Sequence, residues 1–337
     1  MKYTVALAAL ATLALAGQAE ARDQIRIVGS STVFPFTSAV AEQFGKGGQF
    51  KTPVVESTGT GGGLKLFCAG VGVDHPDITS ASRKIKDSEI ESCAKNGVKE
   101  ITEVKIGFDG IVVANSKAGP KMSLTLAQLW TALAKDVPQG GKLVANPYKN
   151  WSEIDASLPN EKIEVLGPPP TSGTRDAFVE LALDVGCAEF AEIKALEGDA
   201  KKAACQSIRE DGAFIEAGEN DNLIVQKLEA NPLAFGVFGY SFLDQNVDKL
   251  QASAVNGTDA TFETISAGEY PVSRSMYIYV KNAHVGLIPG IKEFVAEYMS
   301  DKASGEEGYL VDKGLIPLPE QEHKEVMATA IALKPMQ

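Results

Sequence analysis

The segment that most constrains this chain is residues 168–178, with the sequence PPPTSGTRDAF. An apolar run at residues 163–166 predicts a short strand before it, and apolar residues at helical spacing predict a helix after it. Residues 171–174 therefore lie where a helix begins, at free backbone N–H groups and the positive end of the helix dipole. Thr171 or Ser172 is a natural N-cap, and Gly173 lets an anion approach the backbone. The segment permits an oxyanion site or an ordinary capped helix with a surface arginine.

The same pattern of strand, Ser/Thr/Gly corner and helix recurs three times earlier in the chain. These corners are residues 29–33, 57–63 and 80–83. Ligands of open α/β sheets bind beyond the carboxyl ends of the strands, so the four corners predict one shared site for a small tetrahedral oxyanion. None of them matches the dinucleotide fingerprint or the P-loop pattern. Three successive glycines, at residues 61–63, predict a loop in the second of these corners.

The amino terminus predicts an exported protein. A charged start, an apolar run at residues 5–16 and a small-x-small site at residues 19–21 are typical of a cleavable signal peptide. The apolar run is too short to span a bilayer. We expect residues 1–21 to be removed, a mature chain that begins near Arg22, and a periplasmic location. The remaining length suits two domains.

The net charge of −12 makes nucleic acid and anionic membranes poor partners. The same charge opposes the long-range approach of an anionic ligand. Affinity for such a ligand must therefore come from short hydrogen bonds inside a shielded cleft, where excluded water strengthens them.

The four cysteines fall into two pairs that are close in sequence. In an exported chain, this spacing favours the disulfides Cys68–Cys93 and Cys187–Cys205 over the two other pairings. A metal site is the weaker alternative, because there is no Cys-x-x-Cys motif and the histidines are scattered.

No linker separates the two expected domains, which predicts that the chain crosses between lobes in extended strands. The candidate crossings are residues 113–117 and 270–275, so that residues 22–113 plus 274–337 form one lobe and 114–273 the other. We expect an α/β fold in which each lobe is a sheet flanked by helices, with a hinged cleft between them. Asp109 interrupts the apolar strand at residues 106–114, which is costly unless the carboxylate is paired or functional.

Taken in order, these corners resemble the phosphate-binding protein of the bacterial high-affinity phosphate ABC transporter. The resemblance lies in GSSTVFP at residues 29–35, GTGGG at 59–63, ASR at 81–83, DGI at 109–111 and TSGTR at 171–175. NWSEI at residues 150–154 and GLIPL at 314–318 extend it over nearly the whole mature chain. The resemblance implies a monomeric periplasmic protein without cofactor or catalytic activity, which closes on inorganic phosphate and delivers it to a membrane permease.

The resemblance also implies a set of ligand-binding residues. With the charged side chains beside the motifs, the set is Ser31, Thr32, Val33, Thr60, Gly61, Ser82, Arg83, Asp109, Ser172, Gly173, Thr174 and Arg175. The best-known branch of the family has an aspartate where Arg83 stands, and an arginine before the Ser-Gly-Thr instead of Arg175 after it. We therefore expect Arg83 and Arg175 to donate charged hydrogen bonds. Asp109 then accepts the proton of phosphate, orients Arg83, or serves only as a salt-bridge partner in the wall.

Three other functions remain open from the sequence. Sulfate, molybdate or arsenate could replace phosphate, since hydroxyls and backbone N–H groups bind any tetrahedral oxyanion. A secreted phosphatase is disfavoured, because no cluster for paired metals and no Gly-x-Ser-x-Gly elbow is present. An extracellular adhesin or scaffold would not need the converging corners.

Overall fold

The structure is a computed structural model that describes residues 22–218 and 221–336. The predicted signal peptide at residues 1–21 lies outside the described residues. None of the helices in the described part of the chain is long and apolar enough to cross a membrane.

A mixed sheet of nine strands organises the described residues, in the order β2-β1-β3-β13-β4-β10-β8-β9, with β11 also paired to β4. Its strands are β1 (Arg26–Gly29), β2 (Val54–Ser57), β3 (Ile78–Ala81), β4 (Ile101–Ser116), β8 (Val165–Gly167), β9 (Phe214–Glu216), β10 (Phe235–Gly239), β11 (Leu250–Ala252) and β13 (Ser273–Lys281). Two small pairs complete the strands: β5 (Ser123–Leu124) with β12 (Ala254–Val255), and β6 (Asp136–Gln139) with β7 (Lys142–Ala145).

The long strand β4 belongs to both lobes because it changes partners along its length. Residues 101–110 pair with β13, whose Ser273 lies opposite Gly110. Residues 111–115 pair instead with β10, in which Gly239 lies opposite Ile111. The result is two sheets that share one extended strand, each packed against its own helices. The predicted two-lobed α/β fold with extended crossings is confirmed.

Helices cover the faces of both sheets. They are α1 (Phe34–Lys46), α2 (Thr60–Phe67), α3 (Asp87–Lys95), α4 (Leu126–Leu133), α5 (Trp151–Ile154), α6 (Gly173–Phe178), α7 (Asp184–Cys187), α8 (Ala191–Lys194), α9 (Gly198–Gln206), α10 (Asp221–Ala230), α11 (Tyr240–Asp244), α12 (Phe262–Ser266), α13 (Ile291–Tyr298), α14 (Asp301–Ser304) and α15 (Glu320–Ile331). A π-helical turn (Val179–Leu183) joins α6 to α7, and short 3₁₀ turns occupy Asn282–His284 and Val311–Lys313.

The predicted loop at residues 61–63 is wrong, because these glycines form the first turns of α2. The reason is a close approach of the helix to the sheet. A Cβ on Gly63 would lie 2.4 Å from Gly29 Cα and 2.8 Å from Thr79 Oγ1. Packing against two strands compensates the cost of glycine in a helix, which is about 1 kcal/mol per residue relative to alanine.

Both predicted disulfides are present. Cys68–Cys93 links the end of α2 to α3, and Cys187–Cys205 links α7 to α9. Each bridge joins neighbouring helices within one lobe, so neither restrains the movement of one lobe against the other. The bridges therefore act within the lobes, and neither of them crosses the cleft.

Candidate anion-binding site

The first corner connects β1 to α1 through Ser30, Ser31 and Thr32. Gly29 adopts a positive φ of 139°, and a Cβ there would lie 2.1 Å from the carbonyl oxygen of Ser80. Glycine thus lets this corner rest on the neighbouring one, where Ser30 N donates to the Ser80 carbonyl at 3.0 Å. Thr32 is 7% exposed, and its Oγ1 faces the space between the lobes.

The second and third corners are joined by their hydroxyl groups. Thr60, the first residue of α2, and Ser82, which follows β3, share a side-chain hydrogen bond of 3.0 Å. The Ser82 backbone N–H also donates to Thr60 Oγ1, at 3.1 Å. Strands β2 and β3 both pair in parallel with β1, one on each side, so their ends lie close together and corners distant in sequence meet here.

Arg83 lies beside these hydroxyls but has a partner on its own lobe. Its guanidinium donates two parallel hydrogen bonds to Glu89, at 2.9 and 2.8 Å. The Glu89 carboxylate raises the pKa of Arg83, and the guanidinium lowers the pKa of Glu89 in turn. Arg83 therefore contributes positive charge to the cleft wall while Glu89 holds its orientation.

The fourth corner lies on the opposite wall, where Ser172, one of the two predicted N-caps, caps α6. Its Oγ accepts a hydrogen bond of 3.2 Å from Thr174 N. A Cβ on Gly173 would come within 3.2 Å of Thr32 Cα, so the two walls touch at this point. Ser31 Oγ also donates across the cleft to Asp176 Oδ2, at 3.0 Å.

Arg175 does not face the cleft. Its guanidinium donates to the carbonyl oxygen of Pro168 at 3.1 Å and lies over the ring of Phe214 at 4.5 Å. Burial lowers the pKa of Arg175. The helical spacing that brings Ser172 and Thr174 to the cleft turns the next side chain toward the lobe interior.

Asp109 faces Arg274, not Arg83. The two residues are directly opposite each other in the antiparallel pair of β4 and β13. Arg274 Nε lies 3.4 Å from Asp109 Oδ2, close enough for attraction between the charges but without the alignment of a hydrogen bond. Burial raises the pKa of the Asp109 carboxyl, and Arg274 opposes this shift only in part.

Arg274 is the cation at the centre of the site. Its side chain is 9% exposed, and Nη2 donates to Thr32 Oγ1 at 2.6 Å. Nη1 donates to Glu180 Oε2 of the opposite wall, at 2.5 Å. The guanidinium thus joins the crossing strand β13 to the first corner and to the other lobe.

The contact between Thr32 and Gly173 separates two cavities in the cleft. One has a volume of about 520 Å³ and is lined by Ser31, Thr32, Thr60, Gly61, Ser82, Arg83, Glu180 and Arg274 among others. The other has a volume of about 680 Å³ and is lined by Ser31, Thr32, Asp109, Ser172, Gly173, Thr174, Asp221 and Lys313 among others. The smaller cavity holds two arginines and several hydroxyls. The larger carries two buried carboxylates.

The predicted residues therefore converge on the cleft with two exceptions. Val33 is fully buried beneath the first corner, and Arg175 points away. The remaining predicted residues line one cavity or the other, and Ser31 and Thr32 line both.

Sequence reasoning missed Arg274, Glu180 and Asp221. The signal for Arg274 was available: an aspartate in one apolar strand and an arginine in another require partners, but only the strand register pairs them. Asp221 Oδ2 accepts a hydrogen bond from Gly239 N at 3.1 Å, and burial with the nearby Asp109 raises the pKa of Asp221 to about 6. Nothing in the sequence places Glu180 and Asp221 at the cleft.

The shared strand, the two sheets and the polar cleft define a class: a two-lobed protein that holds a small polar ligand between its lobes. The chain belongs to the PBP superfamily, since the profile described as the PBP superfamily domain matches residues 14–302.

Comparison with named relatives extends this result. The chain is 32% identical to Protein SphX of Synechococcus elongatus over 299 residues, which cover 86% of this chain and 76% of that protein. It is 30% identical to the Phosphate-binding protein PstS of Staphylococcus saprophyticus over 303 residues, with coverage of 88% and 81%. The crystal structure of a possible phosphate binding protein from Planctomyces limnophilus superposes with a TM-score of 0.73 at 30% identity and covers 92% of this chain and 97% of that chain.

Proposed function

We propose that this protein captures inorganic phosphate between its lobes and delivers it to an ABC permease. The observation that carries the proposal is the smaller cavity, in which hydroxyls of three corners face two guanidinium groups. Arginine presents several N–H donors in a plane that matches the oxygens of a phosphate, and its hydrogen bonds to an anion are about twice as strong as neutral ones. The similarity to a phosphate-binding protein and to a possible phosphate binding protein supports the same ligand.

The acidity of the chain makes this local arrangement necessary. Arg274 is buried, so water screens its charge less than it screens a surface charge. A multiply charged anion gains most from such a buried cation. This is the short-range attraction that a protein of net charge −12 needs in order to hold phosphate.

We further propose that Asp109 distinguishes phosphate from sulfate. A carboxylate that accepts a proton from the ligand favours an anion that still carries one, and sulfate at neutral pH carries none. The orphaned Asp109 Oδ2, buried beside Arg274 and without a hydrogen-bond partner among the described residues, is a free acceptor for that proton. Asp109 lines the larger cavity, so this role requires the bound phosphate to reach Arg274 from that side as well. The other expected role of Asp109, orientation of Arg83, has no support, because Glu89 orients Arg83.

Lobe boundaries, export and oligomeric state belong to the same proposal. The change of strand partners between Gly110 and Ile111 supports lobes of residues 22–113 plus 274–337 and 114–273. Residues 1–21 supply a cleavable signal peptide, and the mature protein acts as a periplasmic monomer that needs no cofactor.

A hydrolase is the alternative, and one cluster outside the cleft bears on it. Ser304 Oγ and His323 Nε2 share a hydrogen bond of 3.1 Å, and His323 Nδ1 lies 3.6 Å from Asp301. The order resembles a catalytic triad, but Ser304 is fully buried while the Asp301 side chain is 88% exposed. A nucleophile must reach substrate, so this cluster supports a structural role.

Titration calorimetry of the mature protein with phosphate, sulfate and arsenate tests the proposal. We expect binding of phosphate and arsenate, whose protonation at neutral pH is alike, and much weaker binding of sulfate. Release of a chromophore from a phosphate ester, measured on the same sample, tests the hydrolase. Absence of heat with every anion would end the proposal, and steady ester turnover would replace it with the hydrolase.

A further inference from the structure

Glu180 places a carboxylate in the cavity that otherwise suits an anion. It lies in the π-helical turn Val179–Leu183, directly after α6. A π turn inserts one extra residue into a helix and changes the direction of the side chains that follow, and such turns are frequent at functional sites. Here the turn coincides with the point where Glu180 reaches across the cleft toward the other lobe.

The contacts of Arg274 show which of its donor groups Glu180 binds. The lobe that carries Arg274 supplies two neighbours of the guanidinium, with Thr32 Oγ1 at Nη2 and Asp109 beside Nε. The remaining edge, Nη1, donates to Glu180 Oε2 at 2.5 Å. The negative charge of Glu180 also acts on Arg83. The pKa of Arg83 is raised first by Glu89 and to a smaller extent by Glu180. Both guanidinium groups of the cavity thus interact with one carboxylate of the opposite wall.

We propose that Glu180 is a tethered competitor of the ligand, a carboxylate from one lobe that holds Arg274 of the other lobe until phosphate displaces it. The inference rests on the proposed function. The Glu180 side chain is 58% exposed, whereas that of Arg274 is 9% exposed. Glu180 can therefore withdraw into water at little cost, while Arg274 stays in the wall and needs a new anion.

The exchange has a consequence for selectivity. An anion must bind Arg274 better than a carboxylate already held beside it, at the high effective concentration that a tether provides. Phosphate carries more charge and more acceptor oxygens than a carboxylate. Monovalent anions such as chloride or acetate have no such advantage, so Glu180 excludes them from the cleft.

The test is the Glu180→Gln substitution, which keeps the shape of the side chain and removes its charge. Calorimetric titration of the mature protein with inorganic phosphate should give a dissociation constant about fivefold lower than that of the wild type, the range expected for an exposed ion pair. Acetate should inhibit phosphate binding in the variant and leave the wild type unaffected.

A matched variant separates this effect from a change of net charge. Glu189→Gln removes an equal charge from an exposed position just beyond α7. None of the interactions found in the described residues joins Glu189 to Arg274, so this variant should bind phosphate within about twofold of the wild type.

The outcomes discriminate clearly. Phosphate affinity of Glu180→Gln equal to that of Glu189→Gln, or weaker than wild type, would overturn the inference. A loss confined to phosphate, with sulfate unchanged, would also overturn it and would make Glu180 an acceptor of the ligand's proton. If the wild type itself binds no phosphate, the proposed function fails and this inference fails with it. Thermal unfolding of each variant verifies that it is folded.

Discussion

Two arginines in this protein are almost fully buried beside an aspartate, and their surroundings differ. Arg209 donates to both oxygens of Asp211, at 2.8 and 2.5 Å, and its Nη1 reaches the carbonyl oxygens of Ala132 and Tyr148. Arg274 faces Asp109 at 3.4 Å without a hydrogen bond, and its best contacts are Thr32 and the exposed Glu180. One guanidinium is fully satisfied within its lobe, and the other depends on the opposite lobe.

The pKa values of the two carboxyl groups follow from this difference. Hydrogen bonds from Arg209 hold the pKa of Asp211 far below its ordinary value. Burial raises the pKa of Asp109, which Arg274 compensates only in part. Removing one partner from a buried charge that is fully hydrogen-bonded destabilises a fold. A buried cation with an N–H donor left unused in the described part of the chain, such as Arg274 Nε, can instead donate to a ligand. The comparison therefore separates a structural arginine from a binding arginine.

The largest effect should come from Arg209→Met. The substitution leaves the carbonyl oxygens of Ala132 and Tyr148 without their Arg209 donor. Asp211, whose side chain is 39% exposed, keeps its hydrogen bond from Lys149. Carbonyl groups left unsatisfied in the interior are costly, so we expect the free energy of unfolding to fall by about 3 kcal/mol. Urea unfolding measures this loss. Phosphate affinity of the folded fraction should stay within about twofold of the wild type, because Arg209 does not line the cleft. A folded variant of normal stability would show that this pair is not structural.

Arg274→Met, unlike Arg209→Met, should lose phosphate binding. Truncating a buried cation that contacts the ligand costs about 2.7 kcal/mol of binding free energy, so we expect phosphate affinity to fall about 100-fold. Stability should fall as well, because the buried Asp109 carboxylate loses its cation. Calorimetry and urea unfolding measure the two quantities. Arg274→Lys keeps the charge but loses the planar donors, and should lie between wild type and Arg274→Met.

Asp109→Asn tests whether the carboxylate beside Arg274 takes part in anion selectivity. An amide can donate to an unprotonated sulfate oxygen but no longer provides a charged acceptor for the proton of phosphate. The preference for phosphate over sulfate should drop by about tenfold, a typical value for one charge-assisted hydrogen bond. Competition of the two anions in the same titration measures this ratio. An unchanged preference would assign Asp109 only to its ion pair with Arg274.

Asp221 in the cleft and Asp211 beside Arg209 should make the free energy of unfolding depend on pH in opposite directions. Asp221 in the cleft has a folded-state pKa of about 6, above its ordinary value of 3.8. The folded protein therefore retains this proton longer than the unfolded chain, and stability falls as pH rises from 4 to 6. Relative to wild type, the free energy of unfolding of Asp221→Asn should therefore rise by about 2 kcal/mol over that pH interval.

Asp211 has the reverse sign, because its folded-state pKa lies below the ordinary value. Its contribution is present above about pH 4 and disappears as the pH falls further. Asp211→Asn should therefore be less stable than wild type at neutral pH, with a difference that shrinks on acidification. Urea unfolding at several pH values measures both variants, and equal slopes for Asp211→Asn and Asp221→Asn would contradict the distinction.

Local signals in the sequence predicted much of the fold and part of the site. Strand, polar corner and helix follow one another in sequence, so their succession could be read without a structure, as could the cap at Ser172 and the pairs Cys68–Cys93 and Cys187–Cys205. The three glycines at residues 61–63 were misread because their reason is contact with β1 and β3, which is not local. Arg175 was placed in the site by its neighbours in sequence, although its side chain points to Pro168 and Phe214.

The sequence by itself determined which corners supply hydroxyl groups and that each corner follows a strand, because caps, glycines and apolar periodicity act over a few residues. Only the tertiary structure decided which charged side chains lie beside those corners. Asp109 and Arg274 are far apart in the chain and meet through the register of β4 and β13, and Glu180 reaches them across the cleft. Strand register and lobe contact depend on the packing of the whole chain, and for that reason the central cation of the site could not be identified from its neighbours in sequence.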